Sequence, residues 1–95
     1  TKHAFGIITA DGVEILVHIG IQALKPDPSN YTYHIKVGDE VNIGTPIVKL
    51  SDKLLKKYNY KIITPIVICN YHNHPIKTMT TASTIKTGKI IYTYK

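Results

Sequence analysis

Short β-prone segments, most of them ended by glycine, proline or aspartate, recur along the chain. The first, Thr1–Ile21, is rich in β-branched residues on both sides of Ala10-Asp11-Gly12, and an Asp-Gly pair favours a tight turn. This segment is therefore predicted to be a β-hairpin. The two prolines of Lys25–Asn30 fix φ and remove backbone donors, so that segment is predicted to be a loop.

The rest of the chain continues this pattern with one exception. Extended segments are predicted over Tyr31–Val37, Val41–Leu50 and Ile62–Cys69, and a last hairpin over Thr84–Ile85 and Lys89–Tyr94 around Gly88. The exception is Asp52–Tyr58, which is predicted to be a short helix capped by Ser51. Its apolar side chains share one side at helical spacing: Leu54, Leu55 and Tyr58. The pattern predicts an all-β fold of antiparallel strands with one short helix.

Length and composition indicate a single small domain. Residues 1–95 can bury one modest core, since a chain of this size rarely supports two. The sequence has no run of about 20 apolar residues that could cross a bilayer. It does not begin with the basic and apolar regions of a signal peptide. Cys69 is the single cysteine, so no internal disulfide can form, and we expect a cytoplasmic domain that does not itself insert into a membrane.

The chain carries a formal net charge of +6, which attracts anions of several kinds. Its lysines are dispersed, as is typical of a solvated basic surface, so the charge alone selects no partner. Seven tyrosines among these lysines leave open a small β-domain that binds oligonucleotides, with aromatic rings stacked on bases. Strong, salt-dependent affinity for single strands would favour that non-enzyme alternative.

The first hairpin contains two histidines that strand pairing can bring together. Side chains alternate between the faces of a strand, so the length of the turn decides which residues face each other. A two-residue turn at Ala10-Asp11 pairs His3 with His18, and one at Asp11-Gly12 leaves them diagonal neighbours on one face. A three-residue turn would place the two rings on opposite faces.

Apolar patterning favours the two-residue turns. They assemble one wholly apolar face that is expected to be core: Ala4, Gly6, Ile8, Val13, Ile15, Val17 and Ile19. His3 and His18 then share the accessible face, where opposed Cβ atoms lie roughly 4.5–5.5 Å apart, near enough to contact one phosphoryl group or one metal ion. A neutral imidazole can attack a phosphoryl donor while its neighbour hydrogen-bonds the resulting charge. Spacing alone fits two ordinary half-buried sheet residues equally well.

Local sequence gives the pair a family context. Two segments closely resemble the active-site strands of the glucose-family enzyme IIA domain of the bacterial phosphoenolpyruvate:sugar phosphotransferase system: Thr1–Ile7 and Gly12–Ile21. Two further segments resemble a later turn and strand of that family, in order and at similar spacing: Val37–Val41 and Thr64–Asn70. The resemblance extends over nearly the whole chain.

The resemblance implies both a fold and a chemistry. Members fold as antiparallel β-sandwiches, barrel-like and of the duplicated hybrid motif type, and this chain resembles the C-terminal portion of one. They are cytoplasmic phosphotransferases, in some cases part of a membrane-bound permease, that accept phosphate from the carrier HPr and pass it to a sugar-specific enzyme IIB. By resemblance, His18 is the phosphorylated nucleophile, His3 stabilises the phosphate, and Thr1 hydrogen-bonds within the site. No cofactor is required, although some members bind zinc through the histidine pair, here His3 and His18, at a partner interface.

The chain also departs from the family pattern. The strands that usually precede Thr1 are not in this sequence, and exposed strand edges make a homodimer physically reasonable. Gln22 and His72 stand where the family carries acidic residues, and Pro26–Tyr31 where it has a glycine-rich aromatic turn. Because HPr presents basic side chains, the loss of carboxylates is expected to weaken docking. An inactive or regulatory protein-binding module of the same family is therefore an alternative function.

Two further motifs suggest other chemistry. His72-Asn73-His74 is predicted to be extended with both histidines on one side, a spacing that zinc sites use, but further ligands such as His34 would be required. Cys69 lies in an apolar run and is predicted to be a small core residue rather than a nucleophile.

Overall fold

The computed structural model describes residues 2–21, 26–81, 88 and 90–94. In these ranges the strands are β1 (Ala4–Ile8), β2 (Glu14–His18), β3 (Tyr31–Tyr33), β4 (Val48–Leu50), β5 (Ile66–Ile68), β6 (Ile76–Met79) and β7 (Tyr92–Tyr94). The α-helix, α1, is Asp52–Lys57, and a 3₁₀ turn spans Pro28–Asn30. None of the helices in these ranges is long and apolar enough to cross a membrane. The predicted all-β class with one short α-helix is confirmed.

The described strand pairs are all antiparallel and form three small sheets. β2 lies between β1 and β5 in a three-stranded sheet, β3 pairs with β4, and β6 pairs with β7. No sheet closes into a barrel within the described part of the chain. The extended segments predicted over 31–37, 41–50 and 62–69 each contain a strand, but each strand is only three residues long.

The first hairpin forms as predicted, but the predicted register was wrong. Ala4 lies opposite His18 and Phe5 opposite Val17. Neither of the two registers favoured by apolar patterning produces these pairs, since both would have placed an odd-numbered residue of β1 opposite His18. The observed pairing is that of a three-residue turn.

The turn itself explains this register. The Thr9 N–H donates to Val13 O at 3.0 Å, and the Gly12 N–H donates to Thr9 O at 3.0 Å, so Ala10–Gly12 form the connection. Gly12 has φ +88°, the left-handed conformation with which a three-residue hairpin turn usually ends. The glycine therefore serves as the last residue of a longer turn and not as half of a two-residue one.

The changed register exchanges the two faces of β1. Val13 and Ile19 are buried and Val17 packs against the core, as predicted for the β2 side. Phe5 also packs against the core, whereas Ile8, predicted to be core, is 73% exposed. The predicted core face was right for β2 and wrong for β1, because one step of register moves every side chain of a strand across the sheet.

The main core joins the first sheet to β3, β4 and α1. Its buried residues are Ile19, Tyr31 and Leu54, and half-buried apolar residues surround them: Phe5, Val17, Tyr33, Val48, Leu50, Tyr58 and Ile62. Helix α1 begins after Ser51 as predicted, because the Ser51 Oγ accepts a hydrogen bond from the Leu54 N–H at 3.1 Å. The cap thereby fixes the start of the helix that supplies Leu54 to the core.

Predictions for the C-terminal part were less successful. Cys69 is exposed rather than buried, because Ile68 before it takes the buried position at the end of β5. The residues His72–His74 lie in a turn rather than in an extended segment. The last hairpin pairs β7 with β6, a strand that the sequence did not predict, and the predicted Thr84–Ile85 strand lies outside the described residues.

Candidate functional site

The side chains of His3 and His18 lie next to each other at one end of the first sheet. Their ring centroids are 5.0 Å apart and the ring planes are tilted by 50°. Both residues are half-buried, so the rings are held by neighbours while remaining partly accessible. The proximity predicted from the sequence is present, although the register from which it was predicted is not.

The position of His18 is set by both neighbouring segments. His18 is the last residue of the central strand β2, and its N–H donates to Pro65 O at 3.0 Å. On the other side, the N–H of Ile19 donates to His3 O at 2.7 Å. Gly20 is buried with φ +73° and turns the chain out of the sheet. His18 therefore sits on a rigid element rather than on a free loop.

His3 reaches His18 through a bend. It lies one residue before β1, where the chain leaves the regular strand. In an ideal ladder of this register its side chain would share the face of Ile19 and point away from that of His18. Strict alternation holds only within the regular pleat, and at the bend the His3 ring lies against His18. The predicted separation of the rings by a three-residue turn was therefore also wrong.

Tyr33 of β3 contacts the same end of β1. Its hydroxyl donates to Lys2 O at 2.5 Å and lies 3.5 Å from Ala4 O, so it meets the carbonyl groups on either side of His3. The Tyr33 ring meets that of Phe5 edge-on, with centroids 6.4 Å apart and an interplanar angle of 83°. A side chain from the second sheet thus holds the segment that carries His3.

Reasoning from the sequence missed Tyr33. Burial raises the pKa of its hydroxyl, with a smaller contribution from Tyr31, so the group remains a protonated donor at neutral pH. The bond to Lys2 joins residues 31 positions apart and in different sheets. Neither periodicity nor any local motif signals such a contact.

Exposed apolar side chains lie beside His18. The Ile21 N–H donates to Ile63 O at 2.9 Å, which extends the pairing of His18 with Pro65. The side chains of Ile21 and Ile63 are 54% and 60% exposed. An apolar rim next to accessible imidazoles is typical of a surface that a protein partner covers.

The other histidines do not join the pair. His34 and His72 are exposed, and His74 is half-buried after the turn that carries His72. Over the ranges that the structure describes, no three His, Cys, Asp or Glu side chains form a group that could hold a metal ion. Thr1 and Gln22, singled out from the sequence, lie outside the described residues.

Comparison with known proteins gives matches over most of the chain. The family model for the phosphoenolpyruvate-dependent sugar phosphotransferase system, EIIA 1, matches residues 1–74, a stretch that includes both histidines of the pair. The PTS system beta-glucoside-specific EIIBCA component of Bacillus subtilis is 41% identical over 80 residues, which are 81% of this chain and 13% of that protein.

Two glucose-specific relatives are also similar. The PTS system glucose-specific EIIA component of Halalkalibacterium halodurans is 35% identical over 89 residues, which are 94% of this chain and 51% of that protein. The component of the same name in Staphylococcus aureus is 37% identical over 70 residues, which are 74% of this chain and 42% of that protein. The chain spans about half of the length of these relatives, or less.

Proposed function

Because this chain belongs to the EIIA 1 family of the phosphoenolpyruvate-dependent sugar phosphotransferase system, as its motifs predicted, we propose that it is a histidine phosphocarrier in sugar uptake. His18 accepts a phosphoryl group from HPr and passes it to a sugar-specific EIIB domain. The proposal rests on the contact of His3 with His18, whose ring centroids lie 5.0 Å apart. The names of the relatives, which are beta-glucoside- and glucose-specific components, support a sugar as the final acceptor.

The proposed transfer forms one N–P bond while another breaks. A neutral ring nitrogen of His18 attacks the phosphorus of phosphohistidine on HPr. With its other nitrogen protonated, the HPr ring leaves as neutral imidazole, and His18 then carries the phosphoryl group beside its own ring N–H. In the delivery step a cysteine thiolate of EIIB attacks the same phosphorus, an S–P bond forms, and His18 leaves as neutral imidazole.

His3 stabilises the phosphoryl group in this scheme. A phosphoryl group on an imidazole adds negative charge and strong acceptor oxygens. With its ring centroid 5.0 Å from that of His18, His3 can donate a ring N–H to one of those oxygens. A donor already in place requires no reorganisation during transfer, which is the general basis of electrostatic stabilisation of a transition state.

The apolar rim supplies the docking surface. HPr and EIIB must each bring a reacting atom into contact with His18, and Ile21 and Ile63 are exposed beside it. Covering these side chains buries apolar surface and excludes water from the transfer. The same surface serves both partners in turn, since both react at the same nitrogen.

Zinc fits this pair in part. His3 and His18 supply two imidazole ligands, and within the described residues no third His, Cys, Asp or Glu joins them in a metal-binding group. Zinc in proteins usually takes four ligands, so zinc at this pair draws its remaining ligands from a partner at the interface. When bound there it links two proteins by coordination.

Phosphorylation of purified protein tests the proposal. The protein is incubated with enzyme I, HPr and labelled phosphoenolpyruvate, and acid-labile protein phosphate is measured. We expect labelling of the wild type, none in His18→Ala, and labelling followed by poor delivery to EIIB in His3→Ala. His34→Ala is the matched control, because His34 is an exposed histidine away from the pair, and it should label normally.

Two results would contradict the proposal. Undiminished labelling of His18→Ala would reject His18 as the phosphorylated residue. A folded wild type that takes no label would reject the phosphocarrier function and favour the regulatory or inactive alternative.

A further inference from the structure

The carbonyl groups on either side of His3 face a side chain rather than a strand. The His3 carbonyl accepts from Ile19, and strand alternation directs the carbonyls of Lys2 and Ala4 to the opposite side. In the described part of the fold β1 is an edge strand there, with β2 as its single strand neighbour. The Tyr33 hydroxyl occupies this side, 2.5 Å from Lys2 O and 3.5 Å from Ala4 O.

We propose that Tyr33 is a positioning residue that holds His3 against His18, an inference that rests on the phosphocarrier function proposed above. A tyrosine hydroxyl has one hydrogen to donate, and the short distance makes Lys2 O its acceptor. The backbone of His3 is thereby tied on one side to Ile19 and on the other, through Lys2, to Tyr33. The bend that brings the His3 ring to His18 is held from both sides.

Tyr33 is itself well fixed. Its backbone pairs with Val48 of β4, its ring packs edge-on against Phe5, and it belongs to the half-buried surroundings of the main core. Burial also raises the pKa of its hydroxyl, which keeps the donor proton in place. A functional group is positioned best by a residue whose own conformation is locked by packing, and Tyr33 meets that condition.

Precise placement of His3 matters for transfer more than for acceptance. A displacement of about 1 Å in a catalytic group can lower a rate by orders of magnitude when geometry is tightly specified. His18 keeps its own backbone bonds to Pro65 without Tyr33, so it retains its ability to accept phosphate. Loss of the Tyr33 hydroxyl should therefore resemble a weak form of the loss of His3.

Replacing the hydroxyl alone tests the proposal. Tyr33→Phe keeps the ring and its contact with Phe5. We expect His18 still to be labelled, and transfer from His18 to EIIB to fall about three- to tenfold, as for the loss of one hydrogen bond. Tyr31→Phe is the matched control, since Tyr31 lies on the same strand and no described group bonds its hydroxyl. Its transfer rate should equal that of the wild type.

Two further measurements separate positioning from a general effect on the fold. In a His3→Ala background, Tyr33→Phe should cause no further loss of transfer, and an equal extra loss would overturn the proposal. The nuclear Overhauser effect between the ring protons of His3 and His18 should weaken in Tyr33→Phe while the melting temperature stays close to that of Tyr31→Phe.

The ring-to-ring measurement does not depend on phosphorylation. If wild type accepts no phosphate, the phosphocarrier proposal fails, and the Overhauser effect still decides whether Tyr33 positions His3. An unchanged effect in Tyr33→Phe, or an unchanged transfer rate in an active protein, would reject the role of Tyr33.

Discussion

Substitution of Gly12 tests the origin of the hairpin register. Gly12 has φ +88°, a conformation that costs an L-residue roughly 1–2 kcal/mol relative to glycine. A Cβ added there would meet nothing within 4 Å, so backbone conformation is the whole of the expected penalty. Gly12→Ala should therefore lower the free energy of unfolding by about 1–2 kcal/mol, and Gly12→Asn by less, because asparagine tolerates the left-handed region.

Gly6 in the same hairpin is the matched control. Its φ is not in the left-handed region, and a Cβ there would lie 3.7 Å from Ile15 O, an ordinary contact. Gly6→Ala should leave stability unchanged to within about 0.5 kcal/mol or raise it slightly, because alanine restricts the unfolded chain. Urea unfolding followed by far-ultraviolet circular dichroism measures all three variants.

A second readout follows the register directly. The Overhauser effects between Phe5 and Val17, which lie opposite each other, should persist in Gly6→Ala. If Gly12→Ala is no less stable than Gly6→Ala, or if Gly12→Asn is as destabilised as Gly12→Ala, the left-handed glycine does not determine this turn.

Two other side chains give separate tests. The Asn70 Oδ1 accepts from the Glu14 N–H at 3.0 Å and its Nδ2 donates to Gly12 O at 2.8 Å, so Asn70→Ala should lose about 1–3 kcal/mol of unfolding free energy. Asn73→Ala in the same exposed turn should lose almost none, and equal losses would reject this role of Asn70. The buried Tyr31 hydroxyl has no hydrogen-bond partner among the described residues, so Tyr31→Phe should be neutral or stabilising by up to about 1 kcal/mol in urea unfolding. Burial raises the pKa of Tyr31, so above about pH 10 the folded state keeps a proton that the unfolded state releases. Stability should therefore fall as pH rises above that value, and less steeply in Tyr31→Phe; an equally steep fall in both proteins would contradict the assignment.

Much of the fold follows from local sequence. The β-branched runs and the turn residues predicted the first hairpin, and Ser51 with Leu54 predicted a capped helix that the structure contains. These features depend on neighbours in the chain, so local preferences suffice for them. Strand β6 was missed because Ile76–Met79 has no clear alternation and is stabilised by pairing with a distant strand.

The candidate site shows the same division. The resemblance pointed to His3 and His18, and the structure has their rings in contact. Apolar alternation could not supply the register, because Ala4, Gly6 and Ile8 read as a core face until the turn at Gly12 moves them to the other side. Cys69 was placed wrongly for a related reason, since an apolar run does not say which of its residues faces inward.

By itself, the sequence determined the family, the all-β class and the two histidines on which the proposed function depends. Those properties reside in residue types and their order along the chain. The tertiary structure decided how the histidines meet: through the bend at His3, a three-residue turn and a hydroxyl donated by Tyr33 from another sheet. Such contacts join residues far apart in the chain, and their energies exist only once the backbone has brought the partners together.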